Sequence, residues 1–138
     1  MFNYFFKDRS EQTSLFEILG RPAIEELVES FYRTMETDPK AKHCLSLHQT
    51  DDGKVIQASK EKLKFFLIGW LGGPNLFVEK YGPPRMRARH LHIKIDQAAK
   101  EQWLYCMNLS LKKTKLTRKE KIKLFRSFEA LAMRIQNN

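Results

Sequence analysis

Two breaker clusters, Gly72-Gly73-Pro74 and Gly82-Pro83-Pro84, set the tightest limits on how this chain can fold. Proline cannot sit in a helix interior without losing a hydrogen bond, and glycine is costly there, so no regular element crosses either cluster. Beyond them lies a short basic segment, Arg85-Met86-Arg87-Ala88-Arg89-His90, and Trp103 follows thirteen residues after its histidine. Elsewhere apolar residues recur at helical spacing. From Pro22 onward, Ile24, Leu27, Val28, Phe31, Tyr32 and Met35 form one stripe, with Glu25, Glu26, Glu29 and Arg33 on other faces. Pro22 suits a first helical position, where its missing N–H would be unpaired anyway. Asp38-Pro39 ends that helix, because the residue before a proline is pushed out of the α region.

The same reading predicts a helix over 56–71 carrying Leu63, Phe66, Leu67 and Trp70, and a short apolar turn at 75–79. Asp96 reads as the N-cap of a helix with Ala99, Trp103, Cys106, Met107 and Ser110 on one side. Thr117-Arg118-Lys119-Glu120 reads as a capping box that opens the last helix, which is expected to bury Ile122, Phe125, Phe128, Leu131, Ala132 and Ile135. No alternating strand and no two-residue hairpin turn is evident. Residues 40–58, with His43, Cys44, His48 and the turn Asp51-Asp52-Gly53, read as a long surface loop. The expected fold class is all-α.

The 138 residues suffice for one domain with a single core, expected over 15–138, with 1–14 as an N-terminal extension. The aromatic start, Met1-Phe2-Asn3-Tyr4-Phe5-Phe6, is too short for a signal peptide or a membrane span and reads as an anchor onto the body. Cys44 and Cys106 are too few for a disulfide framework and form no C-x-x-C-H haem-attachment run, so a reducing cytoplasm fits best. A net charge of +9 raises nucleic acid as a partner, through counterion release from phosphates. The densest basic run, from Lys112 to Lys121, has no recognised nucleic-acid module around it and reads as a solvated loop and first helical turn.

The four histidines, His43, His48, His90 and His92, include no H-E-x-x-H and no zinc-type Cys/His spacing. No nucleophile elbow is present, and Gly72-Gly73 lacks the ending of a phosphate loop. His90 and His92 are two apart, so on a helix at most one of them reaches a shared pocket, and the residues alone leave open which. Arg85, Arg87 and Arg89 around apolar walls suit a flat hydrophobic ligand that carries carboxylates.

The run Gly69-Trp70-Leu71-Gly72-Gly73-Pro74, the run from Arg85 to His90 and the later Trp103-Leu104-Tyr105-Cys106-Met107 resemble the group II truncated haemoglobins. Leu19-Gly20, the pair Phe31-Tyr32 and Asp38-Pro39 fit the same family, and the resemblance runs in order over 15–133. It implies a two-over-two helical sandwich around non-covalent haem b, with His90 as the proximal iron ligand. Trp103 matches the distal tryptophan that marks group II, Tyr32 matches the distal tyrosine, and His48 matches a distal position that is often aromatic. Ser59 falls where other globins place their distal histidine. Lys62, Leu63, Phe66, Arg89 and Met107 join the cofactor-binding set, with Lys62 and Arg89 as partners for the propionates. Two departures stand out: Gly82-Pro83-Pro84 where the family usually has Gly-His-Pro, and His92-Ile93 where it usually has proline and phenylalanine.

The function implied is reversible binding of oxygen, carbon monoxide or nitric oxide at a five-coordinate iron. In a switchable version Tyr32 or His48 supplies a sixth ligand. Chemistry on reactive nitrogen or oxygen species belongs to the same class, would need an unidentified reductase, and leaves open whether the protein is an enzyme. The reading from another class is a basic helical module that binds nucleic acid or a protein without haem. On residue type alone, Tyr32 and Trp103 would be core and Lys62 a solvated surface residue.

Overall fold

The computed structural model describes residues 13–138. The aromatic run at 1–6, and with it the anchoring expectation, lies outside the described residues. Helix α1, Leu15–Leu19, opens on a capping box in which the Ser14 hydroxyl accepts from the Glu17 N–H. After Gly20, at φ 82°, helix α2 runs over Arg21–Thr37 with Pro22 in its first turn. Its buried face is the predicted stripe: Ile24, Leu27, Val28, Phe31, Tyr32 and Met35. Asp38 ends it, accepting from the Lys40 N–H and, at 2.5 Å, from the Tyr105 hydroxyl of a later helix.

Residues 40–58 are not a plain loop. A 3-10 turn at Pro39–Ala41 leads into helix α3, Lys42–Ser46, and then into a small antiparallel hairpin of β1, Thr50–Asp51, and β2, Lys54–Val55. Its two-residue turn has both Asp52 (φ 52°) and Gly53 (φ 76°) in the left-handed region, as a hairpin of this hand requires. This corrects the expectation that no such turn exists. The hairpin is pinned to α2: the Val55 N–H and Lys60 Nζ both reach the Glu36 carboxylate, at 2.9 and 3.2 Å.

Helix α4, Gln57–Trp70, stops at Gly72-Gly73-Pro74 as predicted. The glycines do more than stop it. A Cβ on Gly73 would lie 2.5 Å from Phe16 Cδ1 and 2.8 Å from the Ile68 carbonyl, so this corner lets α1 lie directly against the end of α4. The segment expected as an apolar turn is helix α5, Leu76–Tyr81, which buries Phe77. Gly82-Pro83-Pro84 then redirects the chain, and Arg85 at φ 42° launches helix α6, Met86–His90.

Helix α7, Gln97–Lys112, is capped by Asp96, and α8, Arg118–Ile135, by the Thr117/Glu120 box. The long helices pair as α2 with α4 and α7 with α8, and α2 also packs on α7. The buried face of α8 is Glu120, Leu124 and Phe128; Phe128 and the partly buried Phe125 and Leu131 follow the expected stripe, while Ile122, Ala132 and Ile135 depart from it. Ile122 is 44% exposed, Leu131 packs partly buried against the core while also lining a cavity, and Ala132 and Ile135 line that cavity. Among the described residues no helix is long and apolar enough to cross a membrane.

Candidate functional site

A cavity of about 490 Å³ opens between the helices, within the usual range for a small-molecule site. Helix α2 contributes Tyr32, the end of α3 leads to His48, α4 contributes Ser59, Lys62, Leu63 and Phe66, and α7 contributes Trp103. The other elements supply Phe77, Met86, Arg89 and His90, then Ile93 and Ile95, then Leu131, Ala132 and Ile135. Of the residues expected at the site, all but Met107 meet here. Met107 is fully buried in the core and takes no part in the lining, because it turns inward with Cys106 and Leu111.

The imidazoles are oriented by carbonyls. His90 Nδ1 lies 2.6 Å from the Met86 carbonyl one turn back, and His48 Nδ1 lies 2.9 Å from the Cys44 carbonyl. A carbonyl only accepts, so each Nδ1 carries a proton, and in a neutral ring the lone pair is then on Nε2. For His90 that is the arrangement by which a backbone carbonyl fixes the ring and tautomer of a metal-ligating histidine. Burial, the largest influence, lowers the affinity of His48 for a second proton; the Cys44 carbonyl opposes this, and the nearby His90 imidazole adds to it. His48 is therefore a neutral acceptor at Nε2.

Tyr32 is 4% exposed, and burial holds its phenol well above the ordinary range, so the hydroxyl keeps its proton. Its ring meets Phe31 edge-on at 4.9 Å between centroids and His48 at 6.0 Å. Trp103 is wedged between Phe31 and Phe128, at 5.1 and 5.7 Å. Neither the Tyr32 hydroxyl nor the Trp103 indole N–H has a hydrogen-bond partner among the described residues, and both residues line the cavity.

The charged groups around the cavity are all of one sign. Lys62, Arg89 and Lys100 line it, and among the described residues no aspartate or glutamate does. Arg89 lies 5.0 Å over the Phe77 ring and donates from Nη2 to the carbonyls of Tyr81 and Pro83, while its buried Nε has no partner. Lys62 Nζ is 5.4 Å from the Tyr81 ring centroid. Helix α6 ends at His90, so the following turn carries His92 back, and both histidines border the cavity; the helical spacing argument against this does not apply there. Sequence reasoning missed Phe77, because its segment was read as a turn, and Lys100, which carried no motif. It placed Ala132 and Ile135 in the core on their spacing alone.

A family model of the bacterial-like globins matches residues 14–137. The chain belongs to that family. Among solved structures, this globin is similar to the group II 2-on-2 haemoglobin of Agrobacterium tumefaciens, with a TM-score of 0.85 and 33% identity over 93% of this chain and 97% of that one. The cold-adapted truncated haemoglobin of Pseudoalteromonas haloplanktis gives a TM-score of 0.85 and 35% identity, over 91% and 99%. The group 2 truncated hemoglobin YjbI of Bacillus subtilis is 34% identical over 92 residues, which span 67% of this globin but only 64% of that relative. The two-over-two arrangement of the α2/α4 and α7/α8 pairs is thus that of a group II truncated globin.

Proposed function

We propose that this globin holds haem b in the cavity and reversibly binds a diatomic gas there, with His90 Nε2 as the iron ligand. One observation carries the reading: the Met86 carbonyl fixes the His90 proton on Nδ1, which leaves Nε2 free in a cavity bordered by apolar and cationic side chains. The residues present suit such a cofactor. Leu63, Phe66, Phe77, Leu131 and Ile135 give apolar walls that exclude water, and the unpartnered Arg89 Nε with Lys62 and Lys100 would hold the two carboxylates. When bound, haem iron supplies one open coordination position at which oxygen, carbon monoxide or nitric oxide binds.

The chain's own groups then set how long the gas stays. Trp103 Nε1–H can only donate, and the Tyr32 hydroxyl can donate while protonated. Neutral His48 offers an acceptor at Nε2 and so orients the Tyr32 hydroxyl or a water. Ser59 adds a further hydroxyl to the cavity lining. Donors held in place in a low-dielectric pocket act strongly because they need little reorganisation. If a side chain fills the sixth position in the absence of gas, His48 is the better candidate, since it needs no deprotonation and Tyr32 does.

The test is an absorption spectrum of the purified protein in ferric, ferrous and carbonyl forms. A Soret band that moves on adding carbon monoxide is expected; a colourless protein that binds DNA with steep salt dependence would overturn the reading. Replacing Trp103 by Phe should speed oxygen dissociation roughly tenfold, the value of one charge-assisted hydrogen bond, as read by stopped-flow. An unchanged rate would remove Trp103 from the leading role. Turnover of nitric oxide or peroxide, with a reductase as partner, belongs to the same site and is separable by catalytic decay assays. A cytoplasmic setting accords with the free, buried Cys44 and Cys106.

A further inference from the structure

Residues 91–95, Leu-His-Ile-Lys-Ile, join α6 to α7 and contain neither glycine nor proline to fix their course. Leu91 is 57% exposed, yet Ile93 and Ile95 border the cavity directly after His90. Among the described residues, this segment is tied back to α6 by the Leu91 N–H on the Ala88 carbonyl and the Ile93 N–H on the His90 carbonyl, and its other hydrogen bonds go to Asn137. The Ile95 N–H donates to Asn137 Oδ1 at 2.9 Å, and the Asn137 N–H donates back to the Ile95 carbonyl at 3.0 Å. Asn137 Nδ2 donates to the Ile93 carbonyl at 2.9 Å and to the His90 carbonyl at 3.1 Å. The partners fix the orientation of the amide, because an N–H faces its oxygen and two carbonyls face its nitrogen. Arg87 Nη1 holds the neighbouring chain in place by donating to the carbonyls of Arg134 and Gln136, at 2.8 and 3.1 Å.

We propose that Asn137 is a positioning residue for His90. Its amide clasps the peptide of the histidine and the two isoleucines after it, while the Met86 carbonyl holds the ring, so the imidazole is fixed from both sides. The inference rests on the reading of His90 as the haem ligand. It differs from simple packing in a way chemistry can expose. Asn137→Asp keeps the shape and the oxygen for the Ile95 N–H but sets an oxygen against two carbonyls. Asn137→Ala removes every side-chain contact but adds no repulsion.

The experiment compares both variants with the unaltered chain in three measurements. These are the rate of haem loss to excess apomyoglobin, the iron–imidazole stretching band of the ferrous form in resonance Raman, and amide exchange at Ile95 in the protein as purified. The clasp predicts haem loss roughly tenfold faster in Asn137→Asp and less affected in Asn137→Ala, since an unsatisfied or opposed polar group costs more than a removed one. The Raman band should shift in the same order. Ile95 exchange should quicken in Asn137→Ala and stay slow in Asn137→Asp. Haem loss and Raman bands that match the unaltered protein, or an effect larger in Ala than in Asp, would overturn the proposal. A protein that takes up no haem would instead defeat the functional reading, and Ile95 exchange would still decide whether the clasp exists.

Discussion

His48 and His90 are each governed by a backbone carbonyl one turn earlier, Cys44 for the first and Met86 for the second. The device costs the sequence no special residue, since any carbonyl four positions back serves, and so nothing in the residue types announces it. Burial of His48 adds a pH dependence whose sign follows from the lowered proton affinity. A neutral folded form contributes stability that is complete above the ordinary imidazole value near 6.5 and is lost as pH falls through the lowered folded value. Thermal unfolding between pH 7.5 and pH 5 should therefore show a smaller fall in midpoint for His48→Gln than for the unaltered chain. An equal fall would mean that His48 does not titrate in folding. Tyr32 and Trp103 show why residue type alone is ambiguous at this scale: both sit on apolar stripes and pack against Phe31, and both also line the cavity.

At the scale of elements, the corner after α4 is the most demanding local structure. Gly73→Ala should destabilise the fold by about 1–3 kcal/mol, because the new methyl would press into Phe16 and the Ile68 carbonyl and force α1 away. Urea unfolding would read this, and a change below about 0.5 kcal/mol would show that the corner yields freely. Much of this scale was legible in the sequence. The helix starts at Pro22, Asp96 and Thr117 and the stops at Asp38 and Gly72 follow from chemistry confined to a few neighbouring residues. What was not legible is short or relational. The strands are two residues each, too few to show alternation, and α5 is six residues squeezed between two breaker clusters. Ile122 misses the buried face of α8 because that face is set by Leu124 and Phe128 against partners far along the chain, which periodicity cannot see. The cavity wall formed by Leu131, Ala132 and Ile135 has the same origin: apolar spacing is identical for residues that meet a core and residues that meet a ligand.

For the whole molecule, a net charge of +9 and a cavity that, among the described residues, has no carboxylate on its lining favour an anionic, largely apolar ligand over a cationic one. Such a ligand binds the folded chain and not the unfolded one. At free haem a thousandfold above its dissociation constant the folded state should gain about 4 kcal/mol. That should raise the thermal midpoint by roughly 10–20 °C for a chain of this length. Scanning calorimetry with and without added haem measures it, and an unmoved midpoint would count against the cavity as the binding place.

The bonds between Asn137 and residues 90–95 bridge 42 to 47 positions of sequence. That distance sets an order of events as the chain is made. Helices α2 and α4 can meet early, but the wall beside His90 cannot close until α8 has left the ribosome and folded back over α6 and α7. Capture of a cofactor is thereby placed after α8, so a nascent chain halted before Asn137 should release haem that one extended past it retains.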